Sequence, residues 1–359
     1  ISSVGIVFAI IIGILIAIGA SIFILPLSKF IGGSASQDVL TFTVQYLRII
    51  IISIPFSLYA LTVYNQLRLC GNVRDGMLGL LSGMLSNMVL DPVLMFIFKQ
   101  GFIGAGYATL IGQIIGCIVL TLLAKRRESI SFNIKKAQYS KERMYHILAG
   151  GMPNFSRQAI TSAALVLLNV KAAEYGESMI AALTVSSRVA ALAYMIMIGW
   201  GQGFQPICAM NYGAKQYSRV KKAFITTVLV ATIFLTAASI ILFLFANTKF
   251  GIMSTDNEVI FAGIKILRMQ CFSLPLLSFF AVSSMFMQNI GHYFSSLLIS
   301  ISRQGFFYLP LLYILPALYG KTGIYLLQPF SDVLSFLFAV AVVYRWYSSG
   351  AFSSALNAG

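Results

Sequence analysis

The chain has 359 residues, of which 58% are hydrophobic and only 10% charged, with a mean hydropathy of +0.87. A soluble domain carries about a quarter of its residues as charges, so no ordinary water-surrounded core accounts for this composition. The net charge of +15 raises nucleic acid as a partner, and the position of the bases argues against it, as shown below.

Apolar stretches of about 20 residues, enough to cross a bilayer at 1.5 Å per residue, recur along the chain. We read ten of them, at 4–27, 40–66, 76–98, 104–124, 145–172, 178–207, 222–246, 257–288, 293–317 and 322–346. Strand-like alternation is lacking, so the expected class is an all-α integral membrane bundle rather than a barrel. The first stretch lacks a basic leader and a small-residue cleavage site and is read as a span, not a signal peptide.

The bases cluster between these spans. With the stretch KRRESISFNIKKAQYSKER placed on the cytoplasmic side, Arg68, Arg74, Lys125, Arg126, Arg127, Lys135, Lys136, Lys141, Arg143, Lys215, Arg219, Lys221, Lys222 and Arg345 all fall on that side. The opposite side receives only Lys29, Lys99, Lys171, Lys249 and Lys321. The positive-inside rule accounts for this bias, and no nucleic-acid partner is needed. A multi-pass protein of the plasma membrane is expected, working as a monomer among membrane lipid.

An internal repeat organises the chain. Ser28–Gly71 matches Thr248–Gly291 without gaps at an offset of 220, with identities that include Lys29/Lys249, Leu47/Leu267, Arg48/Arg268, Ser53/Ser273, Pro55/Pro275 and Gly71/Gly291. It maps the first four spans onto the last four and leaves the fifth and sixth without partners. Two parallel six-helix lobes are therefore expected, four helices of the first and six of the second lying in this sequence. The expected boundaries are 1–124 for the first lobe, 125–143 for a basic linker, 144–347 for the second lobe and 348–359 for a tail. The repeat also predicts about 75 further residues ahead of Ile1 in the full gene product, room for two spans.

Few residues in such a chain can do chemistry. The four cysteines are scattered without CxxC or His spacing and are read as small buried hydrophobes. His146 and His292 lie near span edges, and HExxH and GxSxG do not occur, so catalysis is not expected. Of the acids, only Asp91 and Asp332 fall well inside spans, where a charge is costly unless it faces protein or water. Asn87 lies one helical turn before Asp91, and Pro92 frees a backbone carbonyl beside it. Such a group suits a cation or an exchangeable proton, although an acid that pairs with a base or caps a broken helix would look the same. Arg303 and Asp332, about ten residues into consecutive antiparallel spans, are expected to meet as an intramembrane ion pair. Arg157 and Gln158, deep in the fifth span, are candidates for substrate contact or gating, with helix packing as the plainer role. Met195, Met197, Met285, Phe286 and Met287 are read either as an adaptable binding surface or as packing.

The motifs RLCGN at 68–72, SNMVLDP at 86–92, GMPNFSRQ at 151–158, GQGFQPICAMNYGAKQYSRVKKAF at 201–224 and QPFSD at 328–332 resemble the multidrug and toxic compound extrusion (MATE) family over essentially the whole chain. The resemblance lacks counterparts of the family's first two helices. It implies two six-helix lobes around a central cavity and export of amphipathic, often cationic small molecules against inward H+ or Na+, with no other cofactor. It also implies a first-lobe cation site to which Asn87, Asp91 and Thr109 correspond. A second-lobe site used elsewhere in the family needs acids on the helices here at 145–172 and 257–288, whose interiors carry none. A flippase for lipid-linked precursors and a channel are the alternatives.

Overall fold

A computed structural model describes residues 2–30, 37–126, 130, 140–247 and 256–348. Most of the expected linker at 125–143 and almost all of the expected tail at 348–359 lie outside them, as do Arg127, Lys135, Lys136 and Lys249. The described residues are helical almost throughout, with no strand among them. They form two compact units, Ile1–Tyr145 and His146–Gly359.

In the first unit α1 (Ser2–Ile22) and α2 (Ile24–Phe30) divide the first expected span at Phe23. The others are α3 (Gln37–Leu69), α4 (Val73–Pro92) with a π-helical turn at Val93–Ile97, and α5 (Gly101–Arg126). α3 runs unbroken through Pro55, and α1 presses on it there: a Cβ on Gly13 would lie 2.7 Å from the Pro55 Cα. α5 packs on both α3 and α4, and the Tyr59 and Thr121 hydroxyls meet at 2.5 Å across the α3–α5 seam.

α6 (Lys141–Ala173) leads into the second unit, followed by α7 (Glu177–Gly213), α8 (Tyr217–Leu244), α9 (Asn257–Ser273), α10 (Leu276–Asn289), α11 (Tyr293–Ile301), a π-helical turn at Ser302–Phe306, α12 (Tyr308–Tyr319) and α13 (Lys321–Ser348). α7 continues through Pro206 to Gly213, past the end expected for its span at 207. The expected span 257–288 is instead two helices, α9 and α10, bent by 55° at Leu274–Pro275. Among the described residues eight helices are long and apolar enough to cross a membrane, nine with the bent pair counted as one. α6, at 33 residues, has the length but not the composition: Glu142, His146, Asn154, Arg157 and Gln158 dilute its apolar surface. In lipid such a helix keeps its polar side against protein or water.

The repeat is visible in the backbone. Gly71 between α3 and α4 has φ +87° and Gly291 between α10 and α11 has φ +86°. Each turn closes with the same pair of bonds: Gly71 N–H to Arg68 O and Asn72 N–H to Leu67 O, then Gly291 N–H to Gln288 O and His292 N–H to Met287 O. This is the helix-ending motif that favours glycine, because only a residue without Cβ takes a left-handed conformation at no cost. Gly101 and Gly320, at φ +56° and +55°, make a second matched pair one residue out of the 220 register. Ser53 and Ser273 each place their hydroxyl on the carbonyl three residues back. Pro55 and Pro275 share a register yet differ in outcome, one inside a continuous helix and one at the 55° bend.

The cysteine reading needs one correction. Cys117, Cys208 and Cys271 are buried, but Cys70 is exposed, since it lies in the turn beside Gly71 rather than on a packed helix face. Of the methionine group, Met197, Met287 and Phe286 are core residues while Met195 is 66% exposed, so these positions do not form one surface.

Candidate functional site

Each unit holds one polar cluster among its helices. In the first unit the cluster exists because α4 and α5 touch backbone to backbone. A Cβ on Gly83 would lie 2.8 Å from the Gly112 carbonyl oxygen, and one on Gly112 would lie 2.8 Å from the Gly83 oxygen and 2.9 Å from Asn87 Cβ. Small residues at four-residue spacing are what permit such contact between membrane helices. Gly104 repeats the arrangement against Leu94, at 2.9 Å from the carbonyl carbon of the π-helical turn.

This close approach brings Asn87 on α4 beside Thr109 on α5. Asn87 Nδ2 lies 3.4 Å from Asp91 Oδ1 and 3.4 Å from Thr109 Oγ1. Both are long contacts, and the Thr109 hydroxyl donates to the Ala105 carbonyl at 3.0 Å. All three side chains are half-buried. Directly after Asp91, Pro92 has no N–H to offer the Met88 carbonyl, and the chain then widens so that Phe98 N–H reaches Val93 O at 3.0 Å. π-helical turns of this kind recur at functional sites. Among the described residues no basic side chain pairs with Asp91. A carboxylate and a hydroxyl oxygen flank the Asn87 amide nitrogen with one negative charge uncompensated, and those oxygens suit a hard cation or a proton.

The second cluster is of the opposite kind. Arg303, in the π-helical turn after α11, donates from Nε to Asp332 Oδ1 at 2.7 Å. Gln328 Nε2 reaches the same oxygen at 2.7 Å, and the Ser273 hydroxyl reaches Asp332 Oδ2 at 2.7 Å. The Arg303 guanidinium lies over the Tyr194 ring, 5.3 Å from its centroid, and its backbone carbonyl accepts from the Ser331 hydroxyl. Asp332 is 2% exposed with both oxygens occupied, so its charge is already balanced. A cavity of about 240 Å³ lies alongside, reached by Thr161, Tyr194, Gln270, Gln304 and Tyr308 as well as the pair.

The repeat assigns these clusters to one unit each. At the 220 offset Arg303 corresponds to Gly83, and at the 219 offset of the paired glycines Asp332 corresponds to Gln113. The first unit has a glycine contact where the second has an ion pair.

The structure brings together Asn87, Asp91 and Thr109, and separately Arg303 and Asp332. It does not bring Arg157 or Gln158 to either: Gln158 is exposed, and α6 presents Thr161, Leu165 and Leu168 to the cavity instead. Sequence reasoning missed Ser273, Gln328 and Tyr194. Two of these carried a signal, Ser273 as the repeat partner of Ser53 and Gln328 as the residue one helical turn before Asp332 in QPFSD.

Comparison with known proteins then decides the family. The MatE family model matches residues 2–93 and 153–314. The chain belongs to the MatE family. Its relatives include the multidrug export protein MepA of Staphylococcus haemolyticus, 26% identical over 347 residues, covering 96% of this chain and 75% of that protein. MepA of Staphylococcus aureus is 27% identical over 323 residues, covering 89% and 71%. Among solved structures, a multidrug resistance MATE family transporter of the MOP superfamily in an outward-facing conformation aligns with TM-score 0.89 and 22% identity, over 98% of this chain and 79% of that one. The Vibrio cholerae MATE transporter VcmN aligns with TM-score 0.90 and 21% identity, over 98% and 80%. These likenesses share the fold, an all-α multi-pass membrane bundle.

Proposed function

We propose that this MatE protein is a secondary active exporter of amphipathic, often cationic organic compounds, driven by inward movement of H+ or Na+ through Asp91. The relatives named as multidrug export proteins support the substrate class. The observation that carries the coupling assignment is an unpaired, half-buried carboxylate held only by a long amide contact at a break in an apolar helix. An ion at Asp91 that favours one orientation of the transporter over the other converts a gradient into net export, because a ligand bound equally to both states shifts nothing. Asn87 positions the carboxylate through its amide N–H and Thr109 supplies a neutral oxygen, while the balanced Arg303–Asp332 pair serves as a structural brace.

Sidedness follows from charge in the same reading. Within the second unit Lys215, Arg219, Lys221, Lys222 and Arg345 share one end of the helices, while Glu174, Glu177, Asp256 and Glu258 lie at the other. The basic end, with the linker 125–143, is assigned to the cytoplasm. The working unit is a monomer of two lobes.

Purified protein in liposomes tests this. Efflux of a cationic dye is measured under an imposed pH gradient and, separately, a sodium gradient. Accumulation against the dye gradient under at least one is expected; dye movement that ignores both, or ion conductance without dye, contradicts the proposal.

A further inference from the structure

The second unit carries a groove that the transport reading does not use. α10 packs against both α8 and α13, which leaves a slot between those two helices with Phe279 and Phe286 of α10 as its floor. Phe224 and Ile225 of α8 form one wall, and Val340, Val343 and Tyr344 of α13 the other. The slot holds about 270 Å³ and is apolar almost throughout. Phe279 to Phe286 spans seven residues, about 10 Å at 1.5 Å per residue, a floor long enough for part of an acyl chain.

Its mouth is different. Lys221 lies at the rim with Nζ 5.4 Å from the centroid of the Tyr347 ring and 3.5 Å from the Tyr347 hydroxyl. Trp346 stands beside it, its indole N–H donating to His292 Nε2 at 3.0 Å and its ring edge-on to Phe286 at 5.2 Å. Trp and Tyr at a helix end mark the depth of lipid headgroups. Lys221 is the base at this rim; Arg219 and Lys222 line a separate cavity with Trp200, Phe204 and Ile207 of α7. No acid lies on α8, α10 or α11, and the only acid on α13, Asp332, is buried and paired far from this end. An apolar slot that opens at headgroup depth onto a lysine, with no acid at this end of the helices that form it, matches one partner in charge.

We propose that this groove is a binding site for an anionic phospholipid, with an acyl chain between α8 and α13 and the phosphate at Lys221. Basic pockets between membrane helices hold anionic headgroups by the same electrostatics. The site is separate from Asp91 and does not depend on which ion drives transport.

The chain has two tryptophans, so Trp200→Phe leaves Trp346 as the sole emitter at the groove mouth. That variant is reconstituted with increasing fractions of dibrominated phosphatidylglycerol or dibrominated phosphatidylcholine, whose bromines quench on contact. Phosphatidylglycerol is expected to quench Trp346 at a severalfold lower mole fraction. Lys221→Gln should remove the preference, the lysine being worth roughly fivefold, and Lys222→Gln, on the cavity beside α7, should leave it. Equal quenching by the two lipids, or a preference that survives Lys221→Gln, overturns the site. If Trp200→Phe does not fold, thermal unfolding of the unaltered chain serves, with and without Lys221→Gln. Phosphatidylglycerol, but not phosphatidylcholine, should raise the midpoint of the unaltered chain alone; no such difference counts against the proposal. Displacement of the brominated lipid by a cationic dye would also overturn it, marking the groove as a substrate surface instead.

Discussion

Arg303 Nε and Asp332 Oδ1 lie 2.7 Å apart, and nothing equivalent exists at the repeat positions Gly83 and Gln113. A buried pair seldom adds much net stability, but removing one partner strands the other charge and costs about 3–5 kcal/mol. Arg303→Met should therefore lower the thermal midpoint in detergent sharply and Asp332→Asn less, because Gln328 and Ser273 still have an oxygen to bond. The double change Arg303→Met, Asp332→Leu should recover most of the loss. A double variant as unstable as Arg303→Met alone would show that the ion pair is not what the second unit needs there.

The α4–α5 contact sets the geometry around Asp91. Gly112→Ala puts a methyl 2.8 Å from the Gly83 carbonyl oxygen and 2.9 Å from Asn87 Cβ, so the helices must separate. Overpacking of this kind costs about 1–3 kcal/mol. Transport should fall further than stability, since Asn87 and Thr109 are already at 3.4 Å. Gly151→Ala, with nothing within 4 Å of its Cβ, is the control and should change neither. Thermal midpoint and dye efflux measured on the same preparations check both.

Lys215 occupies the left-handed position that Gly71 and Gly291 fill elsewhere, with φ +58° and the same closing bonds, Lys215 N–H to Tyr212 O and Gln216 N–H to Asn211 O. A side chain there is strained by about 1 kcal/mol. Lys215→Gly is expected to raise the unfolding midpoint and Gly291→Ala to lower it, by similar amounts. A midpoint that falls for Lys215→Gly would mean that the lysine has a role that outweighs its backbone strain.

Much of this was readable in the sequence. Helix order follows from hydrophobic run length, although eight or nine rather than ten of the described helices are long and apolar enough to cross a membrane, and the 220-residue repeat anticipates the shared turns at Gly71 and Gly291. Asp91 and Asp332 stand out because an acid inside an apolar run is costly. What stayed hidden depends on packing between helices. Run length carries no signal for the break at Phe23, and Pro55 and Pro275 look alike until one helix continues and the other bends. Ser273 and Gln328 meet Asp332 only because α9 and α13 are neighbours, and hydroxyls and amides in a membrane chain are too common to single out. Arg157 drew attention for its charge alone, whereas α6 turns Thr161 toward the cavity.

The central claim, that Asp91 couples ion movement to export, is tested most directly by gradient-driven dye efflux from liposomes carrying Asp91→Asn. The amide keeps the size and the contact with Asn87 but removes the charge that holds H+ or Na+. Insertion and thermal midpoint should stay near those of the unaltered chain, while gradient-driven efflux should fall by on the order of 5- to 150-fold, the range that a coupling energy of about 1–3 kcal/mol spans. Asp91→Asn that transports at the native rate under both a pH and a sodium gradient would contradict the account.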